Sequence, residues 1–262
     1  MAPSLGPYRL GAACGLGGDA VVYEAWRDGM NLSFAVKLPR RDREPAPAIE
    51  ATLRREASLL HRLRHPHIVP LLDADTDHPY LVMPLLPAGS LQNVVGRAAP
   101  WPARTVAHAL SGAAAALDWL HERSIVHGDV KPGNLLIAAD GLVHLTDFGA
   151  ATSTDAAPSE RTATPAYAAP ERLLGQPANP RDDVHGLAAV AYALLTGHPP
   201  FGADPALALD EPARPPSLNA VSWHIMRSVL TGTRSQATPR ATTMIAAIDN
   251  RRTGARAYAQ AD

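Results

Sequence analysis

The sequence predicts an α+β fold, with a smaller strand-rich N-terminal part followed by a larger, mainly helical C-terminal part. Within residues 8–40, short apolar runs alternate with glycine-rich turns, a pattern typical of β-strands. From Ser90 onward, apolar residues recur every three or four positions, which is typical of helices packed on a core. A chain of 262 residues has room for one large or two modest domains.

Composition and charge exclude several classes of protein. A formal net charge of −1 gives no reason to expect nucleic acid, beyond a nucleotide, or an anionic membrane as a partner. The single cysteine, Cys14, cannot form an internal disulfide, which fits a reducing, cytoplasmic setting. The chain has no apolar run of about 18 residues and no basic N-terminal segment followed by a hydrophobic stretch. We therefore expect a cytoplasmic protein, or the cytoplasmic domain of a longer one, with no membrane contact in this chain.

A glycine-rich turn, 15–18, lies between the first two predicted strands. Glycine lets the backbone approach phosphate closely, and successive N–H groups can cradle an anion. An ordinary hairpin turn without a ligand fits the same residues equally well. Cys14, directly before the turn, is expected to be a small apolar filler rather than a redox-sensitive thiol.

The next predicted strand and helix each carry a charged residue at a position that favours burial. In the strand 33–38, Ala35 and Lys37 share one face, opposite Phe34. An apolar helical stripe with spacings of 4, 3, 4 and 3 follows, formed by Ile49, Leu53, Glu56, Leu60 and Leu63. Glu56 is a carboxylate inside this stripe and needs a cation, for which Lys37 is the obvious candidate. An edge-strand lysine that points to water is the plain alternative for Lys37.

Two further strands are predicted at 68–72 and 80–83, joined by a polar turn with three aspartates. The stiff, proline-bounded segment 84–87 follows them. Three histidines precede the strands, at 61, 65 and 67. Because no cysteine or carboxylate is placed to complete a tetrahedral set, we do not expect these histidines to bind a metal ion, and we interpret His67 as part of a turn.

Three helical segments are predicted in the C-terminal part. Ser90 is expected to cap a helix over 91–96, and a core stripe extends over 103–123. Residues 183–195 are almost entirely apolar, as in a helix that is buried on all sides, and Gly197 is expected to stop it.

One short loop, 127–134, concentrates charged and polar groups. It carries Asp129, Lys131 and Asn134 between a long helical pattern and an apolar strand at 135–137. Charged groups so close to buried elements are costly unless they bind something polar. A carboxylate can orient a hydroxyl, an amide oxygen can reach a metal ion, and an ammonium group can neutralise phosphoryl oxygens. The loop is therefore equipped for phosphoryl transfer.

Together, the motifs resemble those of the eukaryotic-like protein kinase family, in its bacterial Hanks-type serine/threonine branch. The matching segments are Gly15 to Val22, Ser33 to Leu38, His127 to Asn134, Asp147-Phe148-Gly149, Thr164-Pro165 and Ala169-Pro170-Glu171. The resemblance covers residues 8–248 and implies a bilobal protein-kinase-like fold. Its parts would be a small β-rich N-lobe with one helix (about 8–85), a hinge (about 84–87), a larger helical C-lobe (about 88–248) and a polar tail (249–262).

The resemblance implies ATP-dependent transfer of the γ-phosphate to serine or threonine hydroxyls of protein substrates, including the protein itself, with Mg²⁺ or Mn²⁺ as the metal. Asp129 would orient the hydroxyl and accept its proton, and Lys131 would steady the γ-phosphate. Asn134 and Asp147 would hold the metal ions. Lys131 and Thr164 imply Ser/Thr rather than tyrosine substrates. No oligomeric state is implied.

The same resemblance assigns the nucleotide contacts. It places ATP against Gly15, Gly17, Val22, Ala35, Lys37, Glu56, Met83, Pro84, Leu86 and Leu136. Met83 would be the gatekeeper, while the Pro84 carbonyl and the Leu86 N–H would meet adenine. Ala20 stands where the family has its third glycine.

Further expectations concern regulation and the core of the C-lobe. Gly128 stands where most regulated kinases have an arginine that pairs with a phosphate on the activation segment, so activity is expected not to require that phosphate. The residues available for autophosphorylation are Thr152, Ser153, Thr154, Ser159 and Thr162. Asp183 is expected to anchor the backbone of the catalytic loop, and Arg240 to pair with Glu171.

Two other functions fit part of the pattern. His127-Gly128-Asp129 is also typical of small-molecule kinases of the aminoglycoside or choline type, which generally lack Lys131 and the Asp-Phe-Gly and Ala-Pro-Glu motifs. The third interpretation is a pseudokinase that serves as a binding scaffold. Against it stands the retention of Lys37, Glu56, Asp129, Asn134 and Asp147. We therefore prefer the protein kinase interpretation.

Overall fold

The computed structural model describes residues 4–40, 46–75, 77–154, 164–202, 211–232 and 237–249. The chain forms two units, one of residues 1–87 with 147–149 and one of residues 88–146 with 150–262. An antiparallel sheet and one helix make up the described part of the first unit, and helices dominate the second. The predicted α+β fold class, strand-rich first and helical afterwards, is confirmed.

The first unit is an antiparallel sheet with one helix. Its described elements are β1 (Ser4–Leu5), β2 (Tyr8–Leu16), β3 (Ala20–Arg27), β4 (Ser33–Pro39), α1 (Ala46–Leu60), β5 (Asp73–Asp75) and β6 (Tyr80–Pro84). The strands are neighbours in the order β1-β2-β3-β4-β6-β5, with antiparallel pairing throughout. Most of the sheet therefore follows the chain order, as short hairpin connections require.

The sheet curls around an apolar cluster on one of its faces. The buried members of this cluster are Tyr8, Leu10, Ala25, Phe34, Val36, Tyr80 and Val82. The Tyr8 hydroxyl donates a hydrogen bond of 2.9 Å to Asp73 Oδ2, which links β2 to β5. Because four steps of the strand order separate these two strands, the sheet must bend strongly to bring them together. Phe34 and Val36 face the cluster, so the alternation predicted for β4 is confirmed.

The strand predicted at 68–72 is misplaced, since the structure has β5 at Asp73–Asp75. Pro70 explains the difference, because proline has no N–H to donate to a strand ladder. Asp75 Oδ1 accepts a hydrogen bond of 2.8 Å from the Asp77 N–H, so the predicted acidic turn begins at the end of β5.

The helix α1 is shorter than its apolar stripe. It ends at Leu60, so Leu63 lies in the following turn, where it is still buried. The His67 N–H donates to His65 Nδ1 at 3.2 Å, which places these histidines in the predicted turn. Within the described ranges, no cluster of three or more His, Cys, Asp or Glu residues is placed to hold a metal ion.

The second unit is mainly helical. Its described elements are α2 (Ala103–His121), β7 (Ile125–Val126), β8 (Leu135–Ile137), β9 (Val143–Leu145), β10 (Thr152–Ser153), α3 (Pro170–Leu173), α4 (Pro180–Thr196), α5 (Ala220–Thr231) and α6 (Ala241–Ile248). The strands form two antiparallel pairs, β7 with β10 and β8 with β9. Of the helices that the structure describes, none is long and apolar enough to cross a membrane.

The helix α4 is the buried centre of the second unit. Residues 181–195 are all buried, as the nearly continuous apolar sequence predicts. Asn179 and Asp182 form a capping box at its start. Gly197 ends the helix in the left-handed region, with φ +91°. The N-terminal end of α4 is therefore fixed in place, which matters because Asp183 lies there.

The helix predicted at 91–96 is wrong. Only Leu91–Asn93 form a short 3₁₀-helix, and the Ser90 side chain makes no capping hydrogen bond to any described residue. Gly96 has φ +85°, which is incompatible with a continuing right-handed helix.

The predicted pairing of Arg240 with Glu171 is also wrong. The Arg240 guanidinium lies 3.3 Å from Asp118 and 2.6 Å from Glu122, and its side chain is 61% exposed. Asp118 accounts for this position, because its carboxylate also accepts the Ala241 N–H at 2.8 Å and so caps the start of α6. The side chain of Arg240, the residue before α6, is drawn to the same carboxylate.

We predict that His185 makes the protein less stable in acid. This residue of α4 is 2% exposed, and its ring stacks on Phe201 at 6.4 Å. Burial, the largest cause, and the charge of Arg181 together lower the pKa of His185 to about 4, against the smaller opposing effects of the Tyr167 backbone and the Glu171 charge. The unfolded chain takes up this proton near the ordinary pKa of about 6.5. The free energy of unfolding should therefore fall by up to about 3 kcal/mol between pH 6.5 and pH 4.

Urea unfolding at a series of pH values measures this effect. The variant His185→Gln removes the titrating group, so its stability should fall less steeply than that of the wild type over the same pH range. An equal dependence of stability on pH in the two proteins would show that His185 is not the group responsible.

Candidate active site

One face of the sheet in the first unit gathers most of the predicted nucleotide-binding residues. In the strand register, Gly15 lies opposite Val22, and Val22 lies opposite Lys37. Ala35 lies opposite Met83 in the same way. Because directly opposed residues share a face, and residues two apart in β4 do so as well, these five side-chain positions lie together. The other face of the sheet is filled by the apolar cluster.

Lys37 is the centre of a buried charge network in the first unit. Its Nζ lies 2.9 and 2.7 Å from the two carboxylate oxygens of Glu56 and 2.7 Å from Asp147 Oδ1. The ion pair between Lys37 and Glu56 that the sequence predicted is confirmed. Glu56 Oε1 also accepts the Phe148 N–H at 3.1 Å, which ties the Asp-Phe-Gly segment to α1.

Burial and charge act in opposite directions on this network. Burial alone would lower the pKa of Lys37, but the adjacent carboxylates of Asp147 and Glu56 outweigh it and raise that pKa. Burial raises the pKa of Glu56, and the ammonium group of Lys37 opposes the rise. Lys37 is therefore a permanent cation on a sheet face that is otherwise largely apolar.

The glycine-rich turn is closed by a backbone hydrogen bond. The Gly17 N–H donates to the Ala20 carbonyl at 2.9 Å, and an added Cβ on Gly17 would lie 3.3 Å from that same oxygen. Ala20 is buried. Cys14 is exposed, so the predicted apolar filler is wrong. Partial burial still raises the pKa of the Cys14 thiol above its ordinary value.

The segment after β6 offers a backbone donor. Pro84 ends the strand, and the Leu85 N–H donates to the Ser33 carbonyl at 3.3 Å. The Leu86 N–H has no acceptor among the residues that the structure describes. This donor is thus available to a ligand, as the predicted adenine contact requires.

Asp183 anchors the backbone of the loop 127–134, which is the predicted catalytic loop. Its two carboxylate oxygens accept the N–H groups of His127 and Gly128, each at 2.8 Å. His121 Nε2 lies 2.8 Å from Asp183 Oδ2 as well. The predicted anchoring role of Asp183 is confirmed, whereas the sequence analysis missed His121. Nothing local singles out a histidine at the end of α2, because its partner lies 62 residues away.

Gly128 meets a geometric requirement of the loop. Its φ is +81°, a value that side chains disfavour. An added Cβ would also lie 2.9 Å from the Ala150 carbonyl oxygen. A side chain at this position would therefore strain the loop next to Asp129.

Asp129 lies at the centre of a polar cluster in the second unit. Lys131 Nζ is 2.6 Å from Asp129 Oδ2 and donates to Thr164 Oγ1 at 2.9 Å. The Thr164 hydroxyl donates to Asp129 Oδ1 at 3.2 Å. Asn134 Nδ2 donates to both the backbone carbonyl and Oδ2 of Asp129, at 2.8 and 3.1 Å. The cluster thus fixes one carboxylate between an ammonium group, an amide and an alcohol.

Leu136 and Asp147 are the last two of the predicted site residues to be placed. Leu136 lies in β8 of the second unit, opposite His144, and forms an isolated bridge with Ser90. Asp147 belongs to the first unit and has φ +62°, a value that favours glycine and is rare for other residues. Such strain persists only where the surroundings impose it, which is common at functional sites.

Comparisons with known proteins agree with this geometry. Residues 8–258 match a family described as the protein kinase domain. The chain is 32% identical over 234 residues to the probable serine/threonine-protein kinase PknB of Bifidobacterium longum, covering 81% of this chain and 34% of that protein. It is 35% identical over 208 residues to PknB of Mycobacterium leprae, covering 75% and 33%. It is 36% identical over 213 residues to PknA of Mycobacterium tuberculosis, covering 77% and 49%. The chain therefore spans only a third to a half of the length of these relatives.

Proposed function

Because the chain belongs to the protein kinase domain family, we propose that it transfers the γ-phosphate of ATP to serine or threonine hydroxyls of protein substrates. The observation that supports this most directly is the hydrogen bond from the Thr164 hydroxyl to Asp129 Oδ1. In this environment the Asp129 carboxylate accepts a hydrogen bond from an aliphatic alcohol. A substrate serine or threonine presents the same group.

The second unit would handle the acceptor hydroxyl and the transferred phosphoryl group. Asp129 orients the hydroxyl and accepts its proton as the new oxygen–phosphorus bond forms and the bond from the γ-phosphorus to the bridging oxygen of ATP breaks, with ADP as the leaving group. Lys131 lies 2.6 Å from Asp129, so its ammonium group is placed to offset negative charge that builds up on the phosphoryl oxygens. Asn134 holds the carboxylate in one orientation by donating to it.

The first unit would hold the nucleotide. Val22, Ala35 and Met83 provide an apolar surface for a planar base, and the Leu86 N–H provides a donor for it. Lys37 supplies the positive charge for the α- and β-phosphates. Glu56 keeps that ammonium group in place, because it accepts from it through both carboxylate oxygens.

A divalent metal ion is implied by the family, and the donor atoms present suit it. Magnesium usually takes one or two protein carboxylates together with substrate phosphates, so a dedicated cluster of acids is not required. Asp147 offers a carboxylate, and Asn134 offers its amide oxygen, since its amide nitrogen donates to Asp129. We propose Asp147 of the first unit and, independently, Asn134 of the second unit as ligands of metal ions, with Mg²⁺ as the metal and Mn²⁺ as the substitute. The metal would neutralise phosphate charge in the transition state.

We also propose a cytoplasmic location. For the domain organisation, we propose an N-lobe of about 8–85, a hinge of about 84–87, a C-lobe of about 88–248 and a tail of 249–262. Residues 250–262 of that tail lie outside the described residues.

An assay with labelled ATP and Mg²⁺ tests the proposed function. The purified chain is incubated with a generic basic protein and, separately, with aminoglycosides and choline. Phosphoserine or phosphothreonine on protein supports the proposal. Labelled small molecules would instead indicate the small-molecule kinase, and nucleotide binding without turnover would indicate the pseudokinase.

We predict that phosphatase treatment leaves kcat unchanged. Gly128 carries no cation to pair with an activation-segment phosphate, and the contacts among Asp129, Lys131 and Thr164 form without one. The measurement compares kcat before and after treatment, with mass spectrometry to verify removal of phosphate. A loss of activity that rephosphorylation restores would contradict the prediction.

The proposed autophosphorylation sites differ in their surroundings. Thr152 and Ser153 form β10 and pair with β7, and the Thr154 N–H donates to the Ser124 carbonyl at 3.0 Å. Ser159 and Thr162 lie outside the described residues. Because Thr152 and Ser153 are held in a strand, modification there would first require that strand to open.

A further inference from the structure

Arg172, in the helix α3, has a buried guanidinium group that the proposed mechanism does not use. Its side chain is only 6% exposed, and its terminal NH1 donates to the Gln176 carbonyl at 2.8 Å. The Nε atom is buried and has no hydrogen-bond partner among the described residues. The nearest carboxylate, Asp182 Oδ2, lies 3.9 Å from Nε, which is beyond hydrogen-bonding distance. Buried donors are rarely left unpaired in folded proteins, so this one calls for a partner.

A small cavity adjoins this guanidinium group. It has about 10 Å³ of space for a water molecule and is lined by the catalytic loop (128–130), the segment 167–169, Thr164, Arg172 and Asp182. A space of this size holds about one water molecule, provided that two or more polar groups face it. Arg172 and Asp182 supply one donor and one acceptor, and residues 128–130 line another part of the wall.

We propose that one ordered water molecule occupies this cavity and links Arg172 Nε to Asp182 Oδ2 and to the backbone of the catalytic loop. Arg172 is then a positioning residue for Asp129. The inference rests on the proposed function, since it assigns Arg172 a part in phosphoryl transfer.

Asp182 is a suitable acceptor because its position is fixed. Its Oδ2 accepts the Asn179 N–H at 2.8 Å in the capping box of α4, and its side chain is 4% exposed. A separation of 3.9 Å between two buried charged groups is too long for a direct hydrogen bond, and one water molecule beside both atoms could accept from the first and donate to the second.

The proposed water would matter for catalysis because it connects Arg172 to the loop that carries Asp129. Thr164 and Arg172 flank the segment 165–171, and Thr164 donates directly to Asp129. A water molecule shared by Arg172 and the loop would hold both ends of that segment against the catalytic carboxylate. Small displacements of reacting groups are costly, so loosening this link should slow the chemical step rather than weaken nucleotide binding.

The variant Arg172→Met tests the link, because it keeps much of the side-chain volume and removes every donor. We expect kcat to fall by about 10-fold with an unchanged KM for ATP, at a temperature well below unfolding. Arg104→Met, an exposed arginine on α2, is the matched control and should keep the wild-type kcat. An undiminished kcat in Arg172→Met would overturn the proposal.

Asp182→Asn gives an independent measurement if Arg172→Met folds poorly. Its amide oxygen can still accept the Asn179 N–H, so the cap of α4 is retained, but the loss of the negative charge weakens the hydrogen bond from the proposed water. If both residues bind one water molecule, the losses in kcat of the two single variants should not add in the double variant. Strictly additive losses would overturn the shared link.

A high-resolution crystal structure of the wild type tests the water directly and does not depend on activity. The expected result is one ordered water within about 3.2 Å of both Arg172 Nε and Asp182 Oδ2. A dry cavity, or a direct contact between the two side chains, would overturn the proposal. If this water is present and the wild type transfers no phosphate to protein, the proposed function fails and the water site stands.

Discussion

Replacing Asp129 with asparagine is expected to lower kcat by about 10² to 10⁴-fold, the range over which a positioned proton acceptor acts. Asparagine keeps the shape of the side chain, and its amide oxygen can still accept from Asn134 or Thr164. It loses the negative charge that Lys131 faces at 2.6 Å and can no longer accept the substrate proton. The KM for ATP should change little, because Asp129 is not among the proposed nucleotide contacts.

Asp140→Asn is the matched control for this experiment. Asp140 is exposed and caps a turn by accepting the Leu142 N–H at 3.0 Å, so the same chemical change there should leave kcat at the wild-type value. Steady-state phosphorylation of a basic protein gives both constants. If Asp129→Asn transfers phosphate as fast as Asp140→Asn, a different group accepts the proton and the assignment is wrong.

The contacts that the sequence predicted best are those between two charged residues that both lie at positions where burial is expected. Glu56 interrupts an apolar helical stripe and Lys37 lies in a half-buried strand, so the two positions explain each other through the sequence pattern alone.

A further signal lies in the choice between lysine and arginine as the basic residue. Only two of the 24 basic residues are lysines, namely Lys37 and Lys131, and every other one is arginine. Lysine is a compact point charge, which suits contact with phosphate oxygens.

Contacts between distant segments were less predictable. Arg240 pairs with Asp118 across 122 residues, and which of several acids it meets depends on how α2 and α6 pack. His121 reaches Asp183 for a similar reason. The ends of two predicted elements were also wrong, because a single residue interrupts the apolar pattern. Pro70 interrupts the predicted strand, and Gly96, with its positive φ, interrupts the predicted helix. Periodicity indicates which elements exist, whereas packing decides which polar groups meet.

Replacing Lys37 with methionine is expected to impair both activity and stability, and a second substitution should separate the two effects. Loss of the ammonium group removes the charge that would bind the phosphates, which should lower kcat by at least about 10²-fold. It also leaves Glu56, 2% exposed, without its cation. Removing one partner of a buried ion pair typically costs about 3–5 kcal/mol.

The stability loss in Lys37→Met should depend on pH. Burial raises the pKa of Glu56, so in this variant the folded chain retains a proton that the unfolded chain releases near its ordinary pKa. The free energy of unfolding should therefore decrease as the pH rises above about 4.5, and it should decrease more than in the wild type, where the ammonium group of Lys37 opposes the rise in the pKa of Glu56. Urea unfolding across this pH range gives the slope for each protein.

The double variant Lys37→Met with Glu56→Gln separates structure from chemistry. Glutamine has no charge to desolvate, so most of the lost stability and the dependence on pH should disappear, while kcat stays as low as in Lys37→Met. Arg55→Met, at an exposed position of α1, is the control for removal of a cation and should affect neither property. Should the double variant regain activity together with stability, Lys37 would serve the fold of α1 alone, and the charge on the phosphates would have to come from another residue.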